Sequence, residues 1–146
     1  MAFRGQYEHS LDSKDRITVP ARFRAAFAEG LVLLEGLDAS VDVYPTGAYE
    51  LMTERYLSAE SPMAARGRKI QRRFHGKARD ESIDSAGRIR LPRHMIEHAG
   101  LAGTCVVVGA NDHLEVWDPE AWEAELAEVD AEIERIAGEP PPGGES

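Results

Sequence analysis

Residues 11–20 read LDSKDRITVP, and residues 83–92 read IDSAGRIRLP. At an offset of 72, Asp12 matches Asp84, Ser13 matches Ser85, Arg16 matches Arg88, Ile17 matches Ile89 and Pro20 matches Pro92. Leu11 with Ile83 and Val19 with Leu91 add apolar matches. An ungapped echo of this kind marks an internal repeat, and a repeat governs the architecture before any single element does. Tyr7, His9 and Leu11 alternate with the period of a half-buried strand. Asp-Ser-Lys-Asp and Asp-Ser-Ala-Gly are turn chemistry, in which the leading Asp accepts from backbone N–H groups two residues on. Gly87 suits a left-handed backbone, and Asp15 holds the same place in the first copy less comfortably. Arg16–Val19 and Arg88–Leu91 then alternate polar and apolar, as return strands do.

Working outward, Pro20 and Pro92 suit the first turn of a short helix. Phe23, Ala26 and Phe27 supply one apolar stripe; Met95, Ile96 and Ala99 supply the other. Gly30 and Gly100 are natural stops. Leu31–Leu34 and Cys105–Val108 read as buried strands, with Val41–Tyr44 and Leu114–Trp117 as their hairpin partners. Val43-Tyr44-Pro45 is answered by Val116-Trp117-Asp118, and Tyr49 falls opposite Trp122 at an offset of 73. Each copy is a hairpin, a short helix and a second hairpin, about 45 residues, too few to bury a core alone. The fold expected is therefore α+β, mainly β, with two copies pairing about a pseudo-two-fold into one domain. The boundaries are repeat 1 over 8–53, a helical insert over 54–81, repeat 2 over 82–125 and a tail over 126–146.

Outside the repeats, residues 51–75 are predicted helical on either side of Ser61-Pro62. Asp118-Pro119 cap and open a further helix over 119–137. Trp122, Leu126, Val129, Ile133 and Ile136 give it a heptad-like stripe. Two readings of that stripe stand side by side. It packs on the domain, or it mediates contacts between protomers or exposes negative charge that restrains non-specific binding to polyanions. The terminal EPPPGGES lacks core-forming residues and is expected to be disordered.

The 146 residues carry a net charge of −9, which argues at first against a polyanion partner. Residues 117–146, with ten acidic residues and Arg135 alone as a base, account for all of it. The first 116 residues hold sixteen basic and sixteen acidic residues, and residues 66–79 hold seven basic and no acidic ones. Such asymmetry points to a polyanion-binding body with an acidic appendage. A single cysteine makes neither an intramolecular disulfide nor a cysteine-based zinc site and fits a reducing compartment. The opening residues lack the apolar stretch of a secretory signal. No apolar run approaches a membrane span. The expectation is a cytoplasmic protein without a membrane partner.

Enzyme readings fail on the motifs. There is no G-x-S-x-G, no phosphate-cradling P-loop and no dinucleotide fingerprint. His94 and His98 are spaced for one helix face, but the pattern is H-M-I-E-H without an evident third ligand, so they read as surface histidines. Cys105 reads as a buried, inert thiol. No catalytic residue, metal ligand or cofactor is assigned.

The doubled D-x-x-x-R turn followed by a strand and Pro resembles the MraZ family of bacterial transcriptional regulators. Phe3-Arg4-Gly5, Val43-Tyr44-Pro45 and Leu114-Glu115-Val116-Trp117 strengthen the likeness, which covers roughly residues 1–126. The resemblance implies tandem AbrB-like swapped-hairpin motifs, a ring-shaped homo-oligomer in the cytoplasm and on the nucleoid, and double-stranded DNA as partner. It implies binding to short direct repeats upstream of the division and cell-wall gene cluster, with repression of transcription. In the family the Arg of the motif is associated with DNA contact, which carries over to Arg16 and Arg88, with Lys14 as a basic companion. Asp15 stands where the first copy usually has Gly, and Ala86 offers no equivalent of Lys14.

Asp12 and Asp84 are expected to structure the turns. An Arg on a β-ribbon reaches guanine O6 and N7 in the major groove with a bidentate fork. The plainer alternative is that each Asp and Arg pair only to fix the turn. Lys14, Arg22, Arg24, Arg90 and Arg93 are candidates for phosphate contact, with Arg4 behind them. Arg66, Arg68, Lys69, Arg72 and Arg73 bind phosphate or form a solvated or subunit-contact face. The reading from another functional class is an assembly module whose hairpins bind a protein partner.

Overall fold

The structure, a computed structural model, describes residues 2–142. In chain order it runs β1 (Gln6–Ser10), β2 (Arg16–Thr18), a 3₁₀ helix (Ala21–Phe27), β3 (Leu31–Glu35), β4 (Ser40–Pro45) and α1 (Thr46–Leu57). It continues with α2 (Ala65–Gln71), a π-helical turn (Arg72–Gly76), β5 (Arg79–Glu81), β6 (Arg88–Arg90), α3 (Arg93–Ala99), β7 (Thr104–Gly109), β8 (Leu114–Trp117) and α4 (Pro119–Ala137). The described residues are mixed α and β: the strands pair antiparallel throughout and outnumber the helices, although the helices hold more residues.

The aliphatic runs build the sheet. The hairpins β3–β4 and β7–β8 form as the sequence indicates, and Val41 opposite Val116 joins them through β4 and β8. The six-stranded order is β1-β7-β8-β4-β3-β5. Residue alternation gives the sheet two covered faces. On one, Leu31, Leu33, Val41, Val43, Cys105, Val107, Leu114 and Val116 meet Phe23, Phe27, Met95 and Ile96 from the two short helices. On the other, Val32, Leu34 and Tyr44 pack with Tyr49 of α1. Cys105 is fully covered, and burial pushes its thiol up to about 11, as an inert thiol requires.

The first hairpin of each copy is not the one expected. β1 pairs with β7, with Gln6 opposite Val108, and β5 pairs with β3. The anticipated return strands β2 and β6 pair with each other, Ile17 opposite Ile89. The reason is burial. Ile17, Val19, Ile89 and Leu91 are all 1–3% exposed, and only a ribbon made from both copies lays these four on one core. Period alone identifies a strand but not its neighbour.

The helices divide between expectation and surprise. The Pro20 segment winds as a 3₁₀ helix and the Pro92 segment as an α-helix ended by Gly100 at φ 62°, in the left-handed region. Residues 51–75 break near Ser61-Pro62 as expected, although α1 already starts at Thr46. α4 spans Pro119–Ala137, with Asp118 Oδ2 accepting from the Ala121 N–H at 3.1 Å. Trp122 packs on Trp117 at 5.5 Å between centroids, and Tyr49 packs on Tyr44 at 5.4 Å, so repeat-equivalent aromatic pairs seat α4 and α1. Beyond that seat the stripe comes off the domain. Val129, Ile133 and Ile136 are 38%, 57% and 47% exposed, so packing on the domain does not account for them. The disorder expected of the terminal EPPPGGES lies, from Gly143 on, outside the described residues.

Candidate nucleic-acid interface

Each Asp-x-x-x-Arg loop closes on its own carboxylate. Asp12 Oδ1 accepts from the backbone N–H groups of Lys14 at 2.9 Å and Arg16 at 3.0 Å, and Oδ2 accepts from Arg16 Nε at 2.7 Å. Asp84 repeats the pattern: Oδ1 takes the N–H groups of Ala86 at 2.9 Å and Arg88 at 2.8 Å, and Oδ2 takes Arg88 Nε at 2.9 Å. Burial works against the Asp12 carboxylate, but the hydrogen bonds from Arg16 and Lys14 outweigh it and hold the group down to about 2. Asp84 is likewise lowered, chiefly by the Arg88 backbone N–H. Turn structuring is thus the visible task of both aspartates.

The loops flank the β2–β6 ribbon. Val19 N–H donates to the Gly87 carbonyl at 2.8 Å, and Leu91 N–H donates to the Asp15 carbonyl at 2.9 Å, which extends the pairing to the loop edges. Arg16 stands opposite Arg90, and Thr18 stands opposite Arg88. Because Ile17 and Ile89 face the core, these four point outward together. Like charges opposed in a ladder destabilise it unless an anion answers them. Each loop Asp uses only the Nε of its Arg, leaving the Nη1 and Nη2 edge without an acceptor among the described residues. Fixing the turn and presenting the guanidinium are therefore compatible. Arg90 is exposed and Lys14 is exposed, each without a side-chain partner among the described residues.

The other basic candidates separate. Arg22 Nη1 donates to the Tyr7 hydroxyl at 2.9 Å and stays exposed. Arg24 turns inward: its Nε donates to the Val19 carbonyl at 3.0 Å, and its guanidinium lies where a side chain on Gly87 would begin. Arg93 sits 3.6 Å from Glu97. The run at 66–73 is dispersed. Arg66 is held by Glu60 and Arg68 by the Pro62 carbonyl, while Arg73 Nη2 donates to the carbonyls of Glu35 and Gly36 at 2.9 and 3.0 Å.

Sequence reasoning missed two centres. His94 is exposed, as a surface histidine is expected to be, and His98 is half-buried, but the partners of both were missed. His94 Nδ1 lies 2.9 Å from Glu35 Oε1, and His98 Nε2 lies 2.9 Å from the Asp38 carbonyl. Burial works against the Glu35 carboxylate, but Lys77 at 2.7 Å and His94 hold it down to about 2. On the sheet face away from the ribbon, Asp42, His113 and Glu115 converge. The signal was in the repeat: Asp42 and Glu115 are equivalents at the offset of 73, one acidic residue inside each aliphatic run. Among the described residues, no helix is long and apolar enough to cross a membrane.

Comparison with known proteins places the chain. A family model described as "MraZ protein, putative antitoxin-like" matches twice, over residues 2–73 and 74–139. Similar curated proteins include one from Roseiflexus castenholzii, 37% identical over 135 residues, which span 92% of this chain and 94% of the relative. Another, from Corynebacterium urealyticum, is 37% identical over 131 residues, 90% of this chain and 91% of the relative. A third, from Heliobacterium modesticaldum, is 38% identical over 120 residues, 82% and 83% of the two chains. All three are named "Transcriptional regulator MraZ". With the doubled loop, the doubled family match and these relatives in agreement, the chain belongs to the MraZ family.

Proposed function

We propose that this chain is a sequence-specific, DNA-binding transcriptional regulator whose reading head is the β2–β6 ribbon. The observation that carries the reading is the outward row Arg16, Thr18, Arg88 and Arg90, with two of its guanidinium groups aimed by Asp12 and Asp84. A two-stranded ribbon fits the major groove, and an Arg with its Nη edge free makes the bidentate contact that distinguishes guanine. Lys14 and Arg22 extend the positive surface toward phosphates, and Arg24 acts by bracing the second loop. The relatives named as transcriptional regulators support the same reading.

The strand order supports a swapped-hairpin architecture with a pseudo-two-fold axis. Exchanging every strand with its repeat equivalent turns β1-β7-β8-β4-β3-β5 into the same order read backward. The axis then passes between β4 and β8, and the two loops present the ribbon symmetrically. In keeping with the family resemblance, the chain acts as a ring oligomer on short direct repeats upstream of the division and cell-wall gene cluster, as a repressor in the cytoplasm and on the nucleoid. Linked protomers then add weak contacts through effective concentration, which lets a chain of net charge −9 bind DNA.

The test is binding of the full chain to its own upstream DNA and to a scrambled duplex, beside an Arg16→Ala/Arg88→Ala variant of verified assembly size. Each Arg that reads a base accounts for about 1–3 kcal/mol of discrimination. Unchanged affinity in an intact assembly removes the ribbon as the reading head and favours the protein-partner reading.

A further inference from the structure

Asp42 on β4 and Glu115 on β8 stand directly opposite each other in the ladder. Their neighbours Val41, Val43, Leu114 and Val116 face the main core, so the two carboxylates share the other sheet face. Asp42 is only 8% exposed. Opposed like charges repel, and the repulsion grows with burial. His113 joins them: one ligand atom from each of the three side chains lies within 4.8 Å of the others.

Each of the three is gripped from its far side. The Ser40 hydroxyl donates to Asp42 Oδ1 at 2.7 Å, and the Trp117 indole N–H donates to Glu115 Oε1 at 2.9 Å. His113 Nδ1 meets Asp112 Oδ1 at 2.7 Å, which makes Nδ1 the donor and turns Nε2 to Glu115 Oε2 at 3.0 Å. The imidazole also lies flat on the Tyr44 ring, 4.5 Å between centroids and 13° between planes. No donor other than Ser40 reaches the Asp42 carboxyl among the described residues. A cavity of about 350 Å³ opens onto all three groups. A histidine held by a carboxylate through its second nitrogen, beside carboxylates that are themselves hydrogen-bonded, is how proteins orient metal ligands.

We propose that Asp42, Glu115 and His113 bind one divalent transition-metal ion, with zinc the best match to one imidazole and two carboxylates. Three protein ligands leave a position for water from the cavity. The ion cancels the repulsion across the ladder and ties β4 to β8 beside Trp117, the seat of α4. The ribbon covers the opposite face of the sheet, so this inference stands apart from the DNA reading. The competing arrangement is a protonated His113 that donates to Asp112 and Glu115 without any ion.

The experiment titrates Zn²⁺ into the full, chelator-stripped chain by calorimetry, with Mg²⁺ as the hard-cation control. An Asp42→Asn/Glu115→Gln variant retains the acceptors for Ser40 and Trp117, and a His94→Ala/His98→Ala variant removes the rival histidine pair. The expected result is one Zn²⁺ per chain, at least about tenfold weaker in the first variant and unchanged in the second. Zinc raises the melting temperature of the wild type and not of the first variant. Binding that survives the first variant, disappears with the second, or is absent from the wild type overturns the proposal. Should the first variant not fold, Co²⁺ in the His94→Ala/His98→Ala chain decides. Intense visible bands of low-coordinate nitrogen and oxygen ligation support the site, and the pale spectrum of aqueous Co²⁺ overturns it.

Discussion

Gly87 and Asp15 occupy equivalent places in the two loops, at φ 79° and 60°, both in the left-handed region. They are expected to tolerate substitution differently because Arg24 lies over Gly87, whereas its repeat equivalent, Ile96, is buried in the main core. Gly87→Ala combines backbone strain with displacement of Arg24, so it is expected to cost about 1–3 kcal/mol in a denaturant titration. Asp15→Gly trades relief of strain against a looser unfolded chain and is expected within about 0.5 kcal/mol of the parent. The turn residues and the left-handed positions were legible because a turn's chemistry lies within four consecutive residues. The use of Arg24 was not, since nothing local says whether a basic side chain turns to solvent or to a neighbouring loop. The Asp42–Glu115 pair was written into the repeat, but its meaning depends on β4 and β8 becoming neighbours.

Glu35, at the end of β3, gathers Lys77 and His94, and so holds α3 and the segment before β5 against the sheet. Its carboxyl titrates near 2 instead of the ordinary 4.5, so its contribution is fully present above about pH 4.5 and is lost as pH falls toward 2. Glu35→Gln should therefore lower the melting temperature at neutral pH, by about 1–3 kcal/mol of stability, and the difference should shrink through that acid window. Thermal melts of both chains across the window provide the check. In α4 the two halves differ in packing, the first seated on Trp117 and the second exposed. Deleting residues 128–146 removes side chains that are exposed among the described residues and is expected to shift folding stability by about 0.5 kcal/mol or less. Assembly size or non-specific DNA affinity should change instead, as light scattering and binding to random duplex would register. The extent of this helix was readable from Asp118-Pro119 and the stripe, and its start agrees with the structure. Where the stripe leaves the domain depends on the breadth of the sheet beneath it, which no periodicity carries.

Across the whole molecule, charge is segregated: a ribbon of outward arginines at one place, and an acidic C-terminal segment, residues 117–146, that carries the net −9. Affinity for DNA should fall linearly in log–log form with salt, with a slope of about −0.9 per phosphate contacted. Removing Lys14 should flatten that slope by about one contact's worth for each engaged protomer without altering sequence preference. A protein partner bound through an apolar face would show little of this dependence. The global pairing also sets a timetable for synthesis. β1 waits for β7, so Gln6 meets Val108 only after about 100 further residues have been made. At about 5–20 residues per second, the first strand emerges from the ribosome some 5–20 s before its partner. During that interval its row of N–H and C=O groups is open to any other nascent strand. Its alternation of Gln6, Glu8 and Ser10 with Tyr7 and His9 keeps it poorly apolar, which is what an edge that must wait for its mate requires.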